Sequence, residues 1–200
     1  DVASGVKATT DTIFGIASVS KSFTCLAAMT LVDKGLLNVD DPVRNYLPEF
    51  RISGGAEAPG ICIKHIMSST AGFPPLPGAS YVKRRTTVGF PKSDGTVEEG
   101  VKPGEAVPEL KTFAEMLNYL ASEKYEMLGE PGRYFSYSNE GFCVMAAIIE
   151  RLTGESYDDY VQREVFNAAS MPRTTFSEDK LPDLGNVTRL YVDTGRSEER

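Results

Sequence analysis

A serine and a lysine three residues apart, Ser18 and Lys21, could together carry out nucleophilic chemistry. On a helix, positions i and i+3 are neighbours, so the lysine amine can reach the serine hydroxyl without help from the rest of the fold. A hydroxyl beside a possible base is the arrangement of a nucleophilic serine. The same spacing also occurs elsewhere in the sequence, including a second match at Ser80 with Lys83 and a third at Ser177 with Lys180. The second match lies in a proline- and glycine-rich stretch and the third among charges, so only Ser18 opens an amphipathic helix.

Histidine is the usual base for a nucleophilic serine, and this sequence contains 1 histidine, His65. No Gly-x-Ser-x-Gly turn accompanies it, so a structural role for His65 is favoured over a Ser-His-Asp arrangement. The remaining base is Lys21, which has to be neutral to accept a proton, although a free lysine titrates near ~10.4. A closed site and the positive end of the helix that Ser18 opens both disfavour the ammonium form. The same helix end offers N–H groups to an oxyanion, worth on the order of 3 kcal/mol per donor.

A tripeptide far along the chain, Tyr137-Ser-Asn139, offers the second proton carrier that acyl transfer needs. It is the one Tyr-x-Asn pattern in the sequence, and it directly precedes an apolar stretch that predicts a helix. From such a loop a phenol can point into a cleft, and the Asn139 amide can orient Lys21 or a substrate. A structural alternative stays open, with Tyr137 as a core aromatic residue and Asn139 as the N-cap of the following helix.

Composition and charge restrict the class of protein. With 200 residues, 41% hydrophobic and 24% charged, the chain is long enough to bury the core of a single globular domain. Its 21 basic and 28 acidic residues give a net charge of -7 without a basic run, so neither nucleic acid nor an anionic membrane is an expected partner. The longest apolar run, near 142–149, is too short to span a bilayer. The first residues lack the features of a signal peptide, and the compartment stays open.

Metal and disulfide chemistry have little support in the sequence. The 3 cysteines, at positions 25, 62 and 143, are widely spaced in apolar settings, which predicts small buried hydrophobic side chains rather than a disulfide framework. One histidine and scattered cysteines do not supply the ligands of a zinc site. We therefore expect neither a metal nor a cofactor.

Helical periodicity and capping signals predict the elements that must position these side chains. A buried central helix carries Lys21, runs to about Lys34 and stops at Gly35. Its apolar positions at helical spacing are Phe23, Leu26, Ala27, Thr30 and Leu31. Thr112 and Glu115 form a capping box for an amphipathic helix. A further helix is predicted at 140–153, ending at Gly154, and another begins at Ser156, with Asp159 in its capping pair, and runs to about Phe166. Short helical turns are predicted at 43–47 and 61–69, and a strand at 187–192.

A long loop is predicted at 73–108, where 6 of the 12 prolines accumulate without sustained periodicity. Loops of this length in compact domains are unusual and often cover binding sites. We expect either such a loop over the site or a surface insertion.

Four segments, in this order, resemble the motifs of the serine beta-lactamase and penicillin-binding-protein superfamily. They are IASVSKSFT at 16–24, DDPV at 40–43, HIMSSTAG at 65–72 and PGRYFSYSN at 131–139. The resemblance covers about residues 10–176 and is nearest to class C beta-lactamases, D-alanyl-D-alanine peptidases and related esterases.

The resemblance implies a serine-dependent acyl hydrolase that acts on an ester, a beta-lactam or a peptide-like amide. In this interpretation Ser18 forms an acyl-enzyme, Lys21 and Tyr137 share the general-base and general-acid work, and Asn139 contacts the small-molecule or peptide-like substrate. Two alternatives use the same motifs. The chain could be a catalytically silent binding or assembly module, or an acyltransferase with an acceptor other than water.

The implied fold class is α+β, beta-lactamase/transpeptidase-like. Residues 1–200 would form a single domain that is incomplete, because this chain supplies mainly the helical part and an incomplete antiparallel sheet whose strands are missing at both ends. The family's third motif, Lys-Thr-Gly or His-x-Gly on a downstream strand, is not found, since Asp193-Thr-Gly195 has the wrong charge and lies too close to the second motif. We therefore expect that a further polypeptide segment or chain completes the sheet.

Overall fold

The computed structural model describes residues 5–58, 60–76, 110–176, 180–181 and 184–188, and these form mainly helices. The α-helices are α1 (Ser20–Asp33), α2 (Ile63–Met67), α3 (Phe113–Ser122), α4 (Asn139–Thr153) and α5 (Tyr157–Val161), and α5 continues as a π-helical turn at Gln162–Phe166. Single 3-10 turns lie at Ala17–Val19, Val43–Asn45 and Leu184–Asn186. The predicted helices are therefore present, although the short ones are shorter than the ranges 43–47 and 61–69 suggested.

Extended pairing within the described ranges is limited to isolated bridges. Ile13 pairs in parallel with Val187, and antiparallel bridges join Pro42 to Cys62 and Ile52 to Ala56. The predicted strand at 187–192 thus begins at a bridge, and its residues beyond 188 lie outside the described part. The same holds for the predicted loop at 73–108 beyond residue 76, for Ser80 with Lys83, for Ser177 and for Asp193-Thr-Gly195.

The most buried helix is α4, which lies against α1, α2, α3 and α5. Its side chains at Val144, Met145, Ile148 and Ile149 are fully buried. It ends where Gly154 adopts a left-handed backbone at φ 71°, as the sequence predicts. Because α4 contacts every other α-helix of the described part, the other helices pack around it.

Helix α1 buries one face, and its far face is open in the described residues. Ala27 and Ala28 are fully buried, and small side chains at these positions let neighbouring helices approach closely. Leu26 is 51% exposed and Met29 39% exposed. The predicted buried central helix is therefore buried on one face only in the described part, and no described element covers the face that carries Leu26.

Side-chain caps begin α3 and α5 as the sequence predicts. Thr112 accepts a hydrogen bond from the Glu115 N–H, and the Glu115 carboxylate accepts from the Thr112 N–H at 2.9 Å. Hydrogen bonds that the backbone N–H groups of Lys111 and Thr112 donate to the Glu115 carboxylate lower its pKa. Ser156 caps α5 by accepting from the Asp159 N–H at 3.2 Å.

The three cysteines are free thiols, as expected, but each is half-buried rather than fully buried. Burial raises the pKa of the Cys25 thiol and is the main cause that raises the pKa of Cys143 to about 11. Within the described ranges, no three His, Cys, Asp or Glu side chains gather as a metal ion would require. No helix in the same ranges combines the length and apolar character needed to cross a bilayer.

Two connecting segments, 69–72 and 128–136, are joined by backbone hydrogen bonds. The N–H groups of Leu128, Gly132 and Ser136 donate to the carbonyls of Gly72, Thr70 and Ser69 at 2.8, 2.8 and 2.7 Å. Gly72 has a φ of 88°, and a Cβ there would lie 2.6 Å from the carbonyl oxygen of Gly129. This close approach requires glycine at position 72, because both the backbone conformation and the space exclude a side chain.

We predict that Gly72→Ala destabilises the protein more than Gly154→Ala does. Gly154 also has a positive φ, of 71°, but a Cβ there meets nothing within 4 Å. Its replacement should therefore cost only the left-handed backbone, about 1 to 2 kcal/mol, whereas Gly72→Ala adds overpacking of about 1 to 3 kcal/mol. Urea unfolding of both variants checks this, and equal losses would contradict the close crossing.

Candidate active site

Ser18 lies in the 3-10 turn that leads directly into α1, and Lys21 lies in the first turn of the helix. The Lys21 Nζ donates a hydrogen bond to the Ser18 Oγ at 3.2 Å. Ala17, just before the serine, has a φ of 44°, which is uncommon for a residue with a side chain and is a form of backbone strain found at functional sites. The neighbourhood predicted from the i and i+3 spacing is therefore present.

Tyr137 approaches the same hydroxyl from a segment 119 positions away in the sequence. Its phenol donates to the Ser18 Oγ at 2.5 Å. The side chain is 45% exposed, so the alternative of a core aromatic residue is wrong. The Ser18 oxygen thus has two potential proton carriers, a phenol and an amine, within hydrogen-bond distance.

Asn139 is the first residue of α4 and orients the lysine. Its Oδ1 accepts a hydrogen bond from the Lys21 Nζ at 2.7 Å. The N-cap of the helix is Ser138, whose Oγ accepts from the Gly141 N–H at 3.0 Å. The alternative of Asn139 as the N-cap is therefore wrong, and its side chain is left to face the site.

The Lys21 amine is surrounded by aromatic rings and neutral acceptors. Its Nζ lies 4.6 Å from the ring centroid of Tyr137 and 5.5 Å from that of Phe142. Among the described residues, no carboxylate forms an ion pair with it. Burial of the phenol raises the pKa of Tyr137, but hydrogen bonding to Lys21 and Ser18 and the lysine charge outweigh it, so the pKa is below its usual range.

His65 has the structural role that the sequence favours. Its Nδ1 accepts a hydrogen bond from the Cys62 N–H at 3.1 Å and so caps the short helix α2. A Cβ at Gly132 would lie 3.2 Å from the Nε2, so the ring packs against the turn that precedes Tyr137. Burial and the Lys64 charge lower the pKa of His65, which favours the neutral ring.

Sequence reasoning missed three polar residues that hold this segment in place. Ser136 donates to the Phe73 carbonyl at 2.5 Å, and Ser138 donates to the Glu140 carboxylate at 3.3 Å. Glu140 is only 1% exposed. A signal exists for the two serines, because in Phe135-Ser-Tyr-Ser-Asn139 they alternate with larger side chains, and alternate residues of an extended segment point to opposite sides.

Comparison with known proteins connects this geometry to a family. A family model described as Beta-lactamase matches residues 1–197. Penicillin-binding protein 4* of Bacillus subtilis (strain 168) is 29% identical over 172 residues, which are 86% of this chain and 32% of that protein. The chain therefore spans about a third of the length of this curated relative.

Solved structures share the fold over the whole chain. The octameric penicillin-binding protein homologue from Pyrococcus abyssi matches with a TM-score of 0.74 and 26% identity, and the match covers 100% of this chain and 41% of that protein's chain. EstCE1, a hydrolase with promiscuous acyltransferase activity, has a TM-score of 0.70 and 25% identity, with 100% and 48% covered. These likenesses confirm the predicted beta-lactamase/transpeptidase-like fold class, of which this chain contributes mainly helices.

We predict that Tyr137 titrates below an ordinary tyrosine and that Lys21→Met raises its pKa. The positive charge favours the phenolate, so removing the charge must shift the equilibrium back towards the neutral phenol. Titration of tyrosines labelled with 13C at Cζ, followed by NMR, measures the shift. Tyr157, whose pKa is raised to about 12 chiefly by burial, is the internal control and should titrate late in both proteins. A Tyr137 pKa that Lys21→Met leaves unchanged would contradict the contact.

Proposed function

The chain belongs to the beta-lactamase family, and we propose that it carries the nucleophile of a serine acyl hydrolase that works through an acyl-enzyme on Ser18. The observation that carries the proposal is the convergence of two proton carriers on one hydroxyl. The Lys21 Nζ and the Tyr137 Oη lie 3.2 and 2.5 Å from the Ser18 Oγ. A nucleophile within hydrogen-bond distance of its base is the arrangement that covalent catalysis needs.

In the first half-reaction the Ser18 oxygen forms a bond to the carbonyl carbon of an ester, beta-lactam or peptide-like amide. Tyr137 and Lys21 take up the serine proton between them, and the lowered pKa of Tyr137 suits the phenol to this exchange. As the tetrahedral centre collapses, the bond to the leaving group breaks and the leaving group receives that proton. The product is an ester of Ser18.

In the second half-reaction water attacks the acyl carbon and the bond to Ser18 breaks. The Tyr137 and Lys21 pair now accepts the proton of water and returns a proton to the serine oxygen, since the two half-reactions are chemically the reverse of one another. Asn139 holds Lys21 through the 2.7 Å hydrogen bond, and its remaining amide donors can face the substrate. No step calls for a metal or another cofactor.

Acyl transfer to an acceptor other than water is a second candidate, favoured by one specific observation. EstCE1, which covers the whole of this chain, is described as a hydrolase with promiscuous acyltransferase activity. The same acyl-enzyme serves both reactions, and they differ only in the acceptor. A catalytically silent module is disfavoured by the intact set of Ser18, Lys21, Tyr137 and Asn139.

We also propose that residues 1–200 are part of an incomplete domain and that further polypeptide covers the open face of α1 and completes the sheet. Leu26 and Met29, half exposed or nearly so, lie on that face of the helix that begins at the nucleophile. Penicillin-binding protein 4* is about three times as long as the part that this chain matches. A protein of that length has further residues that could form the missing strands. The third motif, and with it the rest of the oxyanion hole, would come from that segment.

We predict that a fluorophosphonate, a penicillin or a p-nitrophenyl ester acylates or phosphonylates Ser18. Intact-mass spectrometry should detect one adduct that disappears in Ser18→Ala, and absorbance should report turnover of the ester. Lys21→Ala and Tyr137→Phe should slow adduct formation by about 10²- to 10⁴-fold, the contribution of a positioned acid or base.

Ser22→Ala is the matched control, because Ser22 is exposed, adjoins Lys21 and should leave the rate unchanged. Circular dichroism should find all four variants folded. Absence of both adduct and turnover in a protein that includes its sheet would sink the hydrolase proposal and support the silent module.

We predict that Leu26→Glu destabilises the full-length protein although Leu26 is 51% exposed in this chain. If strands cover the helix, burial of a leucine contributes about 1.5 to 3 kcal/mol that the glutamate would lose. Asn118→Glu on the exposed face of α3 is the control and should be neutral. Thermal unfolding measures both, and a stable, monodisperse, fully folded monomer formed by residues 1–200 alone would show the covering segment to be unnecessary.

A further inference from the structure

We propose that Glu140 is a positioning residue of this site, which acts through the Ser138 hydroxyl to hold Tyr137 and Asn139 in place. The expected effect on the reaction at Ser18 rests on the proposed function. The expected effect on the positions of Tyr137 and Asn139 rests on the contacts alone. The Ser138 Oγ accepts from the Gly141 N–H at 3.0 Å and donates to the Glu140 Oε2 at 3.3 Å. One hydroxyl therefore ties the turn to the helix in two directions.

The Ser138 hydroxyl is placed so that it can influence the positions of both Tyr137 and Asn139. Ser138 lies between Tyr137 and Asn139 and is 6% exposed. Tyr137 reaches Ser18, and Asn139 reaches Lys21, from either side of this one residue. A rotation of the Ser138 backbone would therefore move the phenol and the amide away from α1 together.

Glu140 is buried in the first turn of α4. A carboxylate that is 1% exposed carries a large desolvation cost, which the helix N-terminus and the Ser138 hydroxyl offset in part. Replacing buried charged groups by apolar side chains of similar volume is often neutral or stabilising. A buried side chain that orients the cap between two site residues fits a positioning role.

Charges around Glu140 show that its carboxylate shares an environment with the site. The pKa of Cys143 is raised to about 11 by burial first and by the Glu140 charge second, while Lys21 opposes the shift. Burial is also the main cause that raises the pKa of Tyr125, and the Glu140 charge adds to it. Cys143 thus lies within electrostatic reach of both the Glu140 carboxylate and the Lys21 amine.

The experiment compares Glu140→Leu, Glu140→Gln and Ser138→Ala in the full-length protein. Glu140→Leu should slow phosphonylation of Ser18 by a fluorophosphonate at least about 10-fold, because small misplacements of catalytic groups carry such losses. Its melting temperature should stay equal or rise. Glu140→Gln keeps an oxygen that accepts from Ser138 and should recover most of the rate.

A double-mutant cycle tests the route through the hydroxyl. If Glu140 acts through Ser138, the double variant should lose no more rate than the more impaired single variant, since Ser138→Ala already removes the hydrogen bond that Glu140→Leu removes. The matched control is the cap of α3, where Thr112 and Glu115 make an equivalent pair far along the chain from Ser18. Glu115→Leu and Thr112→Ala should lower the melting temperature and leave the phosphonylation rate unchanged.

A readout independent of reactivity separates this inference from the proposed function. If Glu140→Leu displaces the phenol from Lys21 and Ser18, the Tyr137 pKa must rise, which 13C NMR titration detects in a protein that never turns over. A raised pKa in a protein that forms no Ser18 adduct would therefore support the positioning role and overturn the hydrolase. An unchanged Tyr137 pKa in Glu140→Leu would overturn the positioning role whatever the rates. If Glu140→Leu does not fold, the same titration of Glu140→Ala, which removes the carboxylate and keeps the Ser138 cap on Gly141, decides the question in the same way.

Discussion

The hydrogen bond between the Lys21 Nζ and the Asn139 Oδ1 is the contact on which the candidate site depends. It joins the first turns of two helices whose residues are 118 positions apart in the sequence. On many helices a lysine can reach a serine three residues earlier, but this spacing alone does not hold the lysine amine in one orientation. Asn139 supplies that orientation, and its neighbour Tyr137 supplies the second proton carrier, so one short segment completes what α1 begins.

That contact is possible because α4 is held firmly at both ends and along its length. Fully buried aliphatic side chains fix its axis, Ser138 fixes its start, and Gly154 allows it to end. The close approach of Gly72 to Gly129 and the backbone hydrogen bonds between their segments hold the part of the chain that leads to Tyr137. Small side chains and exact backbone conformations, rather than added charges, set the distances in the site.

The exposed face of α1 shows where the described residues differ from the complete family fold. The candidate nucleophile Ser18 and its two candidate proton carriers all lie in the described residues, yet Leu26 and Met29 lie exposed on the helix that carries Lys21. A helix that is apolar on two sides is typical of a position between two layers, and only one layer is described here. The chemistry of the site and the completeness of the domain are thus separate properties of this protein.

Local patterns in the sequence determined the helices and their caps, because capping and glycine stops depend on residues within a few positions of each other. Thr112 with Glu115, Ser156 with Asp159, and Gly35 and Gly154 all act in this way, and so does the approach of Lys21 to Ser18. Only the tertiary structure decided that Tyr137 faces the serine instead of the core, that Ser138 rather than Asn139 caps α4, and that Glu140 is buried behind them. Those outcomes depend on how α4 packs against α1, and no spacing within one segment carries that information.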